Sequence, residues 1–210
     1  MKTLAKKFHI VGICAVLVCL TAAMAIDDEE KEEEKAKLGE KAPDFKLFDT
    51  KDQQRSLSDY KDKIIVLEWT NPECEFVSNI YRTKEMQKAY KDVKKIDKSI
   101  VWLAINSSSK TTAAKNNFWI QKYSIKYPIL LDQNGAVAKT YNVRRTPHMV
   151  VIDNEGIVRY QGAIDDNNLM LKKSDEITNY VAKAVQQIVD DETVSTDTTK
   201  TYGCAIKQSH

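Results

Sequence analysis

An apolar run, Ile64-Ile65-Val66-Leu67, leads through Glu68-Trp69-Thr70-Asn71-Pro72-Glu73 to a cysteine, Cys74, after which apolar residues recur at helical spacing. A short, continuous apolar run of this kind reads as a buried strand. A cysteine set between such a strand and the first turn of a helix faces that helix's free N–H groups and the positive end of its dipole. That setting favours thiolate over thiol, and thiolate is the reactive form. The arrangement points to a strand–turn–helix unit with a redox-active sulfur at its joint. The plainer alternative is a half-buried structural cysteine.

The rest of the chain extends this unit. Residues 42–49 alternate apolar and polar side chains, 49–53 read as a turn, and 55–60 return toward the core, which predicts an N-terminal hairpin. Phe76, Val77, Ile80, Tyr81, Met86, Ala89, Tyr90 and Val93 predict a single helix over 74–93. Strands are expected at 100–105 and 129–131, with a helix over 111–123 between them. A second hairpin is expected from strands 148–152 and 157–162, joined by Asp153-Asn154-Glu155-Gly156, before a helix over 177–189. Strands alternating with helices imply parallel pairing, and the late hairpin adds antiparallel strands at one edge. Thr146-Pro147 stands directly before the 148–152 strand, where a proline is tolerated as a first residue.

The N-terminus has a different character. Lys2, Lys6 and Lys7 precede an apolar run from Ile10 to Leu20, and Ala23-Met24-Ala25 supplies small residues for cleavage. This is the pattern of a secretory signal peptide over 1–25, with an uncleaved anchor as its rival. Cleavage would leave 185 of the 210 residues, with 29 Lys and Arg against 30 Asp and Glu. Such a near-neutral chain carries no nucleic-acid footprint, and no membrane contact is expected after cleavage. The mature chain would keep Cys74 and Cys204 of the four cysteines, enough for one disulfide or one redox pair in an oxidising, periplasmic or extracellular compartment. Residues 26–39, rich in acids and lysines, read as a solvated leader, residues 40–190 as one domain, and residues 191–210 as a polar tail carrying Cys204.

Several segments together resemble a known family. They are Leu67-Glu68-Trp69-Thr70-Asn71-Pro72-x-Cys74-x-Phe76-Val77, Val101-Trp102-Leu103-x-Ile105-Asn106, Thr146-Pro147-His148-Met149-x-Val151-Ile152-Asp153, Tyr160-x-Gly162-Ala163-Ile164-Asp165-Asp166 and Tyr202-Gly203-Cys204-x-Ile206-Lys207. The chain resembles thioredoxin-like redoxins of the AhpC/TSA (peroxiredoxin-like) superfamily over roughly residues 40 to 207. The resemblance implies an α/β thioredoxin fold, a central mixed sheet flanked by helices. It also implies that Pro147 is cis, packs beside the cysteine-bearing helix, and leaves the backbone of Thr146 to pair with an extended thiol substrate.

Departures from relatives shape the expected chemistry. Val77 stands where a Cys-x-x-Cys motif has its second cysteine, so the local partner is missing. Asn71 and Leu67 stand where a peroxiredoxin has its threonine and proline, which argues against a peroxidase of the usual geometry. Cys204, preceded by Gly203, is the obvious distant partner, and the tail from Asp190 to Cys204 spans roughly 45 Å when extended. The leading expectation is a thiol-disulfide oxidoreductase with Cys74 as nucleophile and Cys204 as resolving residue. Glu68 is a candidate proton acceptor or else a surface-facing strand residue; Trp69, Asn71, Thr146 and Pro147 are candidate substrate-binding residues. The expected partners are a disulfide protein or a small hydroperoxide, and an external thiol reductant. No cofactor and no metal are implied. The rivals are a thiol peroxidase, a non-enzymatic module stapled by a Cys74–Cys204 disulfide, and a metallochaperone using Cys74 and His148.

Overall fold

A seven-stranded mixed sheet forms the centre of the computed structural model, which describes residues 35–169 and 171–207. Its strands are β1 (Lys46–Asp49), β2 (Gln54–Ser56), β3 (Ile65–Trp69), β4 (Val101–Asn106), β5 (Ile129–Leu131), β7 (His148–Ile152) and β8 (Val158–Gly162). They lie in the order β2-β1-β5-β4-β3-β7-β8. The apolar strands β3, β4 and β5 run parallel at the centre, whereas β1 joins β5, and β7 joins β3, antiparallel. Two short strands stand apart: β6 (Arg145–Thr146) and β9 (Cys204–Ala205) pair antiparallel with each other. The signal-peptide reading, with Cys14 and Cys19, lies outside the described residues.

Strand β3 organises both layers because its side chains alternate between the sheet's faces. Ile65, Leu67 and Trp69 join one apolar cluster with Phe45, Leu57, Val137 and Tyr141. Val66 points the other way, into a cluster built from α1 (Glu75–Arg82), α2 (Glu85–Ile96) and α5 (Tyr180–Val189). Trp119 of α3 (Ala113–Tyr123) joins that second cluster. Side chains at the helix starts satisfy backbone N–H groups that have no intrahelical partner: Thr112 accepts from Lys115 N, and Asn179 from Ala182 N.

Three sequence expectations change. The continuous helix over 74–93 is two helices, broken where Lys84 adopts a left-handed backbone (φ 67°). The apolar stripe runs through the break because both helices bury the same face, so periodicity alone does not reveal it. A short helix, α4 (Ala136–Thr140), follows the Gln133-Asn134-Gly135 turn and was not anticipated. The expected solvated leader docks at its end: Ala36 is buried, Ala36 N donates to Thr140 O, and Gly39 N donates to Val158 O.

The left-handed conformation disfavours a side chain at Lys84, which is exposed and replaceable. Lys84→Gly is therefore expected to raise the unfolding free energy by about 0.5–1 kcal/mol. Urea denaturation of the two proteins checks this, with no change or a loss contradicting it.

Candidate functional site

Cys74 is the N-cap residue of α1, presented by a tight turn after β3. The turn is closed by Cys74 N donating to Asn71 O (2.9 Å) and by Glu73 N donating to Asn71 Oδ1 (2.9 Å). Asn71 thus shapes the turn that carries the sulfur. Glu73 binds Lys115 Nζ at 2.7 Å, and that bond holds its carboxyl below the usual glutamate range. The lysine offsets the negative charge that would otherwise oppose a thiolate next door.

The sulfur faces the loop before β7. The Thr146–Pro147 bond is cis, both residues are buried, and Thr146 O lies 3.2 Å from Cys74 Sγ. Cys74 is disulfide-bonded to Cys204, with Cα atoms 5.7 Å apart across a sequence separation of 130. Cys74 is 1% exposed, whereas Cys204 is only partly buried.

The polar tail is a docked strap rather than a free end. Gln161 N donates to Asp197 O (2.9 Å) and Thr199 N to Gln161 O (3.2 Å), so the strap first follows the edge of β8. The Thr199 hydroxyl accepts from Ala163 N (2.9 Å) and bonds Tyr160 OH (2.6 Å). Gly162 makes this approach possible, since a Cβ there would sit 2.6 Å from Thr199 O. Tyr202 OH then donates to Asp165 at 2.6 Å. Burial pushes the Asp165 carboxyl and the Tyr202 phenol upward. Finally Cys204 pairs with Thr146, and Ala205 with Arg145, while Arg145 Nη1 donates to Gly203 O at 2.8 Å.

Glu68 is fully buried, which removes the surface-facing alternative. It accepts hydrogen bonds from Tyr81 OH (2.7 Å), Trp102 Nε1 (3.0 Å) and Tyr127 OH (2.9 Å). Burial raises its carboxyl above the usual value of 4.5, partly opposed by those donors. Its phenol partners are pushed well up, by burial first and by the Glu68 charge second. Tyr81, Trp102 and Tyr127 were not anticipated, because three aromatic residues far apart in sequence carry no pattern linking them to one carboxylate.

Other anticipated residues take different places. Trp69 is fully buried on the face of β3 away from α1 and packs on Tyr141 (ring centroids 5.3 Å apart) and His148 (6.2 Å). It supports the sheet beneath the loop instead of facing a ligand. Burial lowers His148 to about 4, which keeps it neutral at neutral pH. Asn106, the last residue of β4, is buried and donates to Asn116. Among the described residues no cluster of His, Cys, Asp or Glu could hold a metal. A groove of about 680 Å³ opens beside the Cys74 turn, lined by Pro72, Glu73, Phe76, Asn79, Arg82 and Leu169.

A thioredoxin fold with a cysteine pair at a helix N-terminus is the class that this architecture defines. The chain belongs to the AhpC/TSA family, which matches residues 38–161. That span includes Cys74, Glu68, Thr146 and Pro147 and stops short of the strap. The chain is similar to the thiol-disulfide oxidoreductase ResA of Bacillus thuringiensis subsp. konkukian, 30% identical over 130 residues, covering 60% of this chain and 69% of that protein. ResA of Bacillus subtilis is 29% identical over 158 residues, covering 75% of this chain and 85% of the relative. Among solved structures, a hypothetical protein from Sinorhizobium meliloti 1021 superposes with a TM-score of 0.70 at 25% identity, covering 84% of this chain and 97% of that one. An uncharacterized conserved protein from Geobacillus kaustophilus reaches a TM-score of 0.67 at 23% identity, over 82% and 93% of the two chains, and shares the fold.

The raised Glu68 carboxyl has a signed consequence. In the folded state it binds its proton more tightly than in the unfolded chain. Its contribution to stability is therefore full below the unfolded value and declines as pH rises toward the folded value. The stability of the wild type relative to Glu68→Gln is expected to fall as pH climbs upward from about 4.5. Urea unfolding of both proteins across that range measures it; a pH-independent difference would contradict the assignment.

Proposed function

We propose that the chain is an exported thiol-disulfide oxidoreductase in which Cys74 is the nucleophile and Cys204 the resolving cysteine. The observation that carries this reading is the Cys74–Cys204 disulfide, set at the start of α1 against the Thr146–Pro147 loop. The relatives' names as thiol-disulfide oxidoreductases agree with it.

In the reduced protein the helix terminus favours the Cys74 thiolate. The thiolate attacks one sulfur of a substrate disulfide, the substrate S–S bond breaks, and a mixed disulfide to Cys74 forms. The first substrate thiolate leaves. The Cys204 thiolate then attacks the Cys74 sulfur, forms the Cys74–Cys204 bond, and expels the second substrate thiolate. The substrate has gained two electrons and the protein has lost two, which an external dithiol restores. Thr146 and Pro147 shape the surface where the substrate sulfur approaches. Asn71 holds the Cys74 turn. Glu68, tied to three donors of its own, is a positioning residue behind α1, bonded to Tyr81 of that helix.

A structural staple is the competing reading, favoured by the length of the loop that the disulfide closes; long loops gain most from a cross-link in theory. The two readings part on exchange chemistry. Ordinary dithiols are expected to reduce the pair without unfolding the domain, and Cys204→Ser is expected to trap a mixed disulfide on Cys74 when offered a disulfide substrate. Cys74→Ser should trap none by that route. Mass spectrometry of acid-quenched reactions measures the adduct, and its absence from Cys204→Ser would leave only the staple.

Export rests on the charged head, apolar run and Ala23-Met24-Ala25 site. N-terminal sequencing of protein recovered from its native compartment is expected to begin at Ile26. A chain still starting at Met1 would contradict this.

A further inference from the structure

We propose, resting on the redox reading above, that the strap is an internal stand-in for the substrate. The occupant it imitates is an extended polypeptide segment in which glycine precedes the reactive cysteine. The strap must swing away before that segment can bind.

The geometry of residues 203–206 carries the argument. Cys204 and Ala205 pair with Thr146 and Arg145, and Ile206 N donates to Arg144 O at 3.0 Å. These bonds add a strand to the free edge of β6 and bring the strand's cysteine onto Cys74. An incoming peptide disulfide needs the same two things, a backbone edge to pair with and a sulfur placed on Cys74. With the strap in place neither is available: Thr146 is paired and Cys74 is 1% exposed.

The same contact sets a sequence requirement. Gly203 has φ +113°, a backbone conformation that side chains disfavour. A Cβ at this position would run into the Thr146 carbonyl and lie 3.2 Å from Pro147 Cδ. The Thr146 backbone and the closed ring of Pro147 form this wall, so no rotamer change can relieve it. The position before the cysteine therefore admits glycine and rejects branched residues.

The strap is held upstream as well as at the sulfur. The Thr199 bonds to Tyr160 and Ala163 and the Tyr202 bond to Asp165 lie outside the β6–β9 pair. Loss of the disulfide alone leaves these contacts, so the strap competes with substrate even when reduced. After resolution they return Cys204 to the same place.

The test uses the full chain carrying Cys204→Ser and short peptides with the sequence of residues 202–207. Each peptide is joined through its cysteine to thionitrobenzoate. Cys74 thiolate attacks the peptide sulfur, the bond to thionitrobenzoate breaks, and the coloured thiolate leaves. The peptide with glycine before cysteine is expected to react roughly tenfold or more faster than the same peptide with valine there. Both should react alike with a small free thiol. In the Cys204→Ser background, Gly203→Val is expected to speed the reaction with the glycine peptide, because its own strap no longer fits. Tyr202→Phe should do so to a smaller degree. Equal rates for the two peptides would overturn the sequence requirement, and no acceleration in either strap variant would overturn the occlusion. Absence of any release would defeat the redox reading and this inference together, whereas the other two failures leave the redox reading standing.

Discussion

The backbone of Thr146 is where the functional parts of this molecule meet. Proline supplies no N–H at position 147, so the short strand β6 does not run on as an ordinary ladder into β7. Buried backbone polar groups require partners, and those of Thr146 are met by the strap. The Thr146 carbonyl also lies against the Cys74 sulfur. One peptide unit thereby touches the Cys74 sulfur and pairs with the strand that carries its disulfide partner. Shielding of Cys74, and the disulfide itself, follow from how that edge is filled.

Behind the site, the sheet supplies rigidity through two different kinds of packing. On one face of β3, Trp69 packs at a tilt on Tyr141 and edge-on to His148 beneath the loop. On the other, the Glu68 carboxyl gathers Tyr81, Trp102 and Tyr127 and so links α1 to β3, β4 and the approach to β5. A buried carboxylate without partners would be costly; with three donors it is held and in turn holds the rings around it. The turn bearing Cys74 is thus mounted on a helix whose far end is anchored in a hydrogen-bonded aromatic cluster.

The strap joins these layers to redox chemistry. It lies outside the family's matched region and brings the second cysteine from beyond α5. Cys-x-x-Cys proteins place the partner on the same helix, where Val77 here contributes to the core instead. Moving the partner to a remote strand gives the segment that carries the second sulfur a further part, filling the β6 edge. A partner within the helix cannot couple the two in this way.

Much of this was legible in the chain. The apolar run before Cys74, the alternation of strands and helices, and Thr146-Pro147 at a strand mouth determined the fold and marked the turn that carries Cys74, because strand burial, helix periodicity and proline geometry are local properties. Gly203 before Cys204 likewise supplies a residue able to adopt the φ of +113° found there. Only the tertiary structure decided that 74–93 breaks at Lys84, since the buried face continues across the break. It alone placed Trp69 beneath the loop and gathered Tyr81, Trp102 and Tyr127 around Glu68. It alone turned a polar tail into a paired strand. The polar character of residues 193–201 says that they can be solvated; where they bind depends on the unpaired edges of β8 and β6, which exist only once the sheet has assembled.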